Sequence, residues 1–208
     1  MKQSTPQFIE TIRLQGGTLH HLALHQARVD RTLAHYALPP LDLKAVLSGV
    51  ESQYPDGLYK CRVLYGATVP EVDVKPYTPL IRHRVSLVES NIDYAYKSAD
   101  RAGLNALLRT AGTDDIIIVK DGLVTDSAIA NLVFESSQGL FTPRVPLLEG
   151  VQRSYLLQSG QITPMDIRVA DLRQFDCVHF INAMVPLGTI APFALRQLSD
   201  SILRCSSL

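Results

Sequence analysis

The chain carries no excess charge: twenty basic and twenty acidic residues cancel over 208 positions. No polyanion is implied as a partner, so nucleic acid and an anionic membrane surface are not expected. Cysteine is scarce. Cys61, Cys177 and Cys205 are far apart, odd in number and without a Cys-x-x-Cys pair, which argues against a zinc ribbon or a redox dithiol and points to reduced thiols in the cytoplasm. Long apolar runs are also missing. No stretch approaches the length that spans a bilayer, and Met1-Lys2-Gln3-Ser4-Thr5-Pro6 lacks the apolar core of a signal peptide. Neither a Gly-rich mononucleotide loop nor a Gly-x-Ser-x-Gly elbow occurs. His20, His21 and His25 have no carboxylate or cysteine partner at ligand spacing, so no metal is expected and they read as surface or core histidines.

What is present describes an ordinary globular chain, long enough for one large or two small domains. Phe8 to Leu14 alternates like a half-buried strand, and Gln15-Gly16-Gly17-Thr18 turns it into a hairpin. Val29, Leu33 and Tyr36 recur at helical spacing over His25 to Tyr36, and Pro39-Pro40 separates that helix from a second over Leu41 to Ser52. Strands follow over Tyr59 to Tyr65 and Glu71 to Lys75. Pro76-Tyr77-Thr78-Pro79 breaks the pattern, so the expected organisation is a smaller α+β domain over 1–80 and a larger domain over 81–208. In the larger part, Arg101 to Thr110 reads as a helix stopped by Gly112, and Asp115 to Val119 as a buried strand. Lys120-Asp121-Gly122 is a hairpin turn, Asn131 to Phe134 and Val178 to Ile181 are strands, and a helix begins at Val151.

Two segments carry chemistry together. Lys97 stands in Tyr94-Ala95-Tyr96-Lys97-Ser98-Ala99-Asp100-Arg101, and about thirty positions later comes Val124-Thr125-Asp126-Ser127-Ala128-Ile129-Ala130-Asn131-Leu132. They suggest an amine that holds an aldehyde cofactor and an acid that holds its ring. With His25-Gln26-Ala27-Arg28-Val29, Thr142-Pro143, Leu148-Glu149-Gly150-Val151-Gln152-Arg153 and Asn182-Ala183-Met184-Val185-Pro186-Leu187, these six motifs in their order along the chain resemble the class IV (fold type IV) pyridoxal-phosphate enzymes. That family includes branched-chain and D-amino-acid aminotransferases and aminodeoxychorismate lyases. The resemblance runs from Glu10 to about Pro192. Lys-x-x-Asp-Arg and Asn-Ala-Met lie closer to the lyase branch.

The resemblance implies a two-domain α+β fold of the D-amino-acid aminotransferase type, with pyridoxal 5'-phosphate between the domains, and a homodimer. Lys97 would form the Schiff base and move the substrate's α-proton, for which its pKa must fall by burial and nearby positive charge. Arg101 either adds to that field or pairs with Asp100 or Asp126. Asp126 takes the place of the family's glutamate on the pyridine nitrogen; one methylene shorter, it requires a ring closer to its strand or a bridging water. As a turn cap at Ser127 it has a structural alternative. Arg28 matches the phosphate arginine, Gly150 permits close backbone approach, and the amides of Val151 and Gln152 open a helix toward the anion. Ala183 and Met184 match the last phosphate loop, without the hydroxyl residue of the aminotransferases. Family members carry a further N-terminal strand and turn ahead of the position of Phe8, so a remodelled substrate pocket is expected. Two reactions are open: a 4-amino-4-deoxychorismate lyase of folate biosynthesis, giving pyruvate and 4-aminobenzoate, and an amino-acid transamination. A non-catalytic member that keeps the fold for cofactor binding or assembly is the third reading.

Overall fold

The structure, a computed structural model, describes residues 6–198 and 202–204. The expectations made for Met1–Thr5 and Cys205 lie outside these residues. The chain divides into two compact units, one of residues up to Pro79 together with Tyr96–Asp100, the other of Leu80–Ala95 and Arg101 onward. The class is mixed α and β in both. Lys97 thus comes with the first unit and not with the larger part over 81–208 expected from the sequence.

The first unit is an antiparallel sheet with helices. β1 (Gln7–Gln15) turns through Gly16 and Gly17, both at positive φ, into the short β2 (Thr18–Leu19). α1 (Leu22–His35) follows, then α2 (Leu43–Val46) and α3 (Val50–Gln53). The single helix expected over Leu41 to Ser52 is two. Asp42 caps the first by accepting from the amides of Lys44 and Ala45, and Gly49, at φ 79°, breaks the backbone before the second. β3 (Leu58–Gly66) pairs along the whole of β1, and β4 (Glu71–Pro76) completes the order β2-β1-β3-β4. Alternation does the sorting: Phe8, Ile12 and Leu14 of β1 meet Cys61, Val63 and Tyr65 of β3 and Val29 and Leu33 of α1 in one core.

The second unit is built on a longer sheet. β5 (Val85–Glu89) is followed by α4 (Ala102–Ala111), which Gly112 ends at φ 62°. β6 (Asp115–Lys120) and β7 (Leu123–Ser127) join through Asp121 and Gly122, both at positive φ as a two-residue hairpin of this hand requires. β8 (Asn131–Ser136), β9 (Gly139–Pro143), α5 (Val151–Gln158), β10 (Thr163–Met165), β11 (Cys177–Ile181), β12 (Phe193–Ala194) and β13 (Ile202–Arg204) complete it. The sheet order is β10-β9-β8-β7-β6-β5-β13, with β11 paired to β8 and β12. β6 explains why its sequence is apolar without interruption. Ile117 and Val119 enter the core of Leu132, Phe134, Phe175 and Phe180, while Ile116 and Ile118 enter the one under Leu104 and Leu107 of α4. A strand buried on both faces shows no alternation.

Among the described residues no helix is long and apolar enough to cross a membrane. Leu132, with no exposed surface, sits in the larger core. Leu132→Ala is expected to lower the unfolding free energy by about 2–5 kcal/mol in urea titration; a loss under about 1 kcal/mol would mean this core collapses around the gap.

Candidate active site

In the first unit the site grows from one misplaced acid. Glu10 lies on β1 between Phe8 and Ile12 on the strand face that packs into the core, and is fully buried. A carboxylate there needs partners. α1 brings two, one helical turn apart: Arg28 donates through Nε to Glu10 Oε1 at 2.9 Å and through Nη2 to Oε2 at 2.6 Å, and His25 Nδ1 meets Oε2 at 2.5 Å. Burial would raise the Glu10 carboxyl, but the Arg28 charge and the His25 hydrogen bond outweigh it and hold it at about 2. Burial also lowers the His25 pKa against the pull of Glu10, which favours a neutral ring donating Nδ1–H to Glu10. Its Nε2 is buried with no protein partner.

Lys97 is fixed beside this group by its backbone. Its carbonyl accepts from the Ile9 amide at 2.9 Å, Ala99 donates to Gln7 O at 2.8 Å, and Ser98 bridges Phe8, so residues 97–99 run along an edge of β1. The side chain is half-buried and lies close enough for its charge to act on His25. Tyr96 next to it stacks on His35 at 4.3 Å. His25 is a core residue and His20 and His21 are half-exposed.

In the second unit everything converges on Asp126, at the end of β7 and 5% exposed. Asn131, its partner at the start of β8, donates Nδ2–H to Oδ1 at 2.8 Å and to the Leu148 carbonyl at 2.8 Å; the Leu148 amide returns a hydrogen bond to Oδ2 at 2.8 Å. Both oxygens therefore accept from protein, and the carboxylate is not the cap of the Ser127 turn. That turn is closed by Ser127 Oγ, which accepts from the Ala130 and Ile129 amides. Burial raises the Asp126 pKa to about 6, against the lowering by Leu148, Asn131 and the Arg153 charge.

The same carboxamide explains Gly150. A Cβ there would overlap Asn131 Oδ1, so glycine is required by the packing of Asn131. Gly150 then opens α5 with no side-chain cap on the amides of its first turn, which include Val151 and Gln152. Gln152 is buried and its Oε1 has no protein partner. Arg153 is buried too and donates to the carbonyls of Pro143 and Arg144 and to Thr142 Oγ1, tying α5 to the end of β9. Arg101 donates to the Ala128 carbonyl at 2.7 Å and the Tyr94 hydroxyl at 3.2 Å; in those bonds it pins the loop after Asp126.

The turn at 182–185 completes the second unit's set. Asn182 donates to the Ile129 carbonyl at 3.2 Å and accepts from the amides of Met184 and Val185. The Met184 amide is thus committed to its own turn, in contrast to the expected phosphate contact. Glu10, His25 and Asn131 are not among the site residues expected from the sequence. Their signal was an acid and a core-parity position coinciding on β1, and a carboxamide opening β8.

Residues 7–192 match the family model for class IV amino-transferases. The chain belongs to that family. Its members are pyridoxal-phosphate-dependent enzymes, and pyridoxal phosphate is the cofactor of this one. A curated protein of Haemophilus influenzae, itself uncharacterized, is 34% identical over 180 residues, which is 84% of this chain and 96% of that protein. A solved structure from Haemophilus somnus, described as a "putative 4-amino-4-deoxychorismate lyase", is 32% identical with a TM-score of 0.82 and covers 90% of this chain and 100% of its own. The fold is also that of a hypothetical aminotransferase from Mycobacterium tuberculosis in its PLP-bound form, with 19% identity, a TM-score of 0.77 and coverage of 93% and 81%.

The two buried acids have opposite pH signatures. Glu10, its pKa lowered, contributes stability that is present above about pH 4.5 and is lost as pH falls toward 2. Asp126, its pKa raised, contributes stability that is full below about pH 4 and is lost as pH rises through 6; ionising it costs about 3 kcal/mol. Asp126→Asn is expected to flatten the urea-stability profile of the cofactor-free protein between pH 4 and 6. A profile that keeps the wild-type slope there would place the titration on another group.

Proposed function

We propose that this enzyme is a lyase that converts 4-amino-4-deoxychorismate to pyruvate and 4-aminobenzoate. The observation that carries the reading is the 32% identity, over the whole of that structure, to the Haemophilus somnus protein described with this activity. Lys97-x-x-Asp100-Arg101 and Asn182-Ala183-Met184 lean the same way. The runner-up is transamination of an amino acid, as the family description and the fold shared with aminotransferases allow.

Bound pyridoxal phosphate supplies an aldehyde for amine capture and an electron sink for the charge left at the substrate's α-carbon. The chain's own groups divide the remaining work. In the first unit Lys97, its backbone held to β1, would hold the cofactor through its side-chain amine and move the α-proton of the substrate. Arg28 binds phosphate oxygen, its guanidinium aimed by the Glu10 carboxylate that also holds His25. In the second unit Asp126 binds the protonated ring nitrogen. Its two protein donors suit an anion, and a cationic partner lowers its pKa from about 6, so each charge favours the other. The uncapped first turn of α5, with the Val151 and Gln152 amides behind Gly150, suits an anionic oxygen. Ala183 rather than Met184 is left to the last phosphate contact, because the Met184 amide is bonded to Asn182.

Purified protein given 4-amino-4-deoxychorismate alone should release pyruvate and 4-aminobenzoate in equal amounts, and Lys97→Ala should abolish it with little loss of stability. Turnover that appears only when an amino acid and a 2-oxo acid are supplied together would replace the lyase with the aminotransferase. Cofactor binding without either reaction would favour the non-catalytic reading.

A further inference from the structure

Three metal-ligating side chains that the proposed reaction does not use converge elsewhere in the second unit. β11 carries Cys177 and His179 two residues apart, hence on one face, and Glu135 of β8 stands directly across from Cys177. Glu135 Oε2 is 2.8 Å from His179 Nε2 and 3.5 Å from Cys177 Sγ, and the three ligand atoms all lie within 4.8 Å of one another. On the same face Val133 and Ile181 are covered by Leu156 of α5 and by Ile162. The trio lies beyond that cover, with the Glu135 side chain 47% exposed and the His179 side chain 12% exposed.

We propose that Glu135, Cys177 and His179 form a binding site for a borderline-soft divalent cation, Zn²⁺ above all, with water in the fourth position. Tetrahedral zinc, with bonds of about 2.0–2.3 Å, needs ligand atoms roughly 3.3–3.7 Å apart, so side-chain adjustments of less than about 1 Å suffice. Thiolate, imidazole and one carboxylate are the ligand types zinc takes, and Glu⁻ with Cys–S⁻ balances its charge. In the metal-free protein the S–H and the N–H of the ring both point at the same carboxylate oxygen. Burial, then Glu135, pushes the Cys177 thiol up to about 11, so binding must displace the thiol proton to solvent. The imidazole frees Nε2 by carrying its hydrogen on Nδ1. That nitrogen has no protein partner, and the hollow that His179 lines with Arg82, Phe180 and Val185 gives a water room to accept it. The site spans the β8–β11 pair, and β8 begins at Asn131, so a bound ion clamps the strand that presents Asp126 its partner.

The test is titration of the full chain with Co²⁺, followed by displacement with Zn²⁺. The expected result is one ion per chain with a thiolate-to-cobalt absorption in the near ultraviolet. Cys177→Ser should remove that band, and His179→Gln should weaken binding at least about tenfold while leaving the melting temperature without metal near wild type. No thiolate band, or a band retained in Cys177→Ser, would overturn the assignment and leave the trio as a hydrogen-bonded cross-strand contact. The readout involves neither Lys97 nor turnover, so it stands or falls apart from the proposed reaction.

Discussion

The burial of Asp126 is the constraint on which the second unit's site depends. A carboxylate removed from water at the end of β7 must be answered by donors, and the Asn131 carboxamide and the Leu148 amide, the latter from a segment far along the chain, answer it. The consequences spread from there. Asn131 fills the space a side chain at position 150 would occupy, Gly150 follows, and α5 therefore starts without a side-chain cap. Arg101 and Asn182 hold the intervening loop from two sides through the carbonyls of Ala128 and Ile129. Burial raises the Asp126 pKa to about 6 even with these donors and the Arg153 charge acting against it.

The first unit solves the same problem with the opposite outcome. Glu10 is as buried as Asp126, yet a guanidinium and an imidazole lie on it, so its carboxyl is held low rather than raised. One acid is locked as an anion in a structural pair that aims an arginine; the other is poised near neutral pH. Two carboxylates equally removed from water thus end on opposite sides of the ordinary carboxylate range, according to the charge and hydrogen bonds that lie on each.

Much of this was legible in the sequence because local rules and local structure agreed. The β1 hairpin, α1, the Asp121-Gly122 turn and the Gly112 helix stop follow from alternation, helical spacing and glycine geometry, none of which needs a distant partner. The helix expected over Leu41 to Ser52 failed at Gly49, where the left-handed conformation of one residue outweighed the apolar pattern on either side. What the sequence hid was long-range. The pairing of residues 97–99 with β1, the reach of Asn131 to Leu148 and the capture of the Met184 amide by Asn182 depend on segments brought together by the whole fold. Lys97 and Asp126 stood out by motif, whereas Glu10 and His25 acquired meaning only once α1 lay across β1.

We propose that Lys97 carries the cofactor. Borohydride reduction of the protein loaded with pyridoxal phosphate, followed by proteolysis and mass spectrometry, tests it most directly. One phosphopyridoxyl group per chain is expected, on the peptide containing Lys97. A label on Lys44, Lys60 or Lys120 instead, or no label on any peptide, would contradict it.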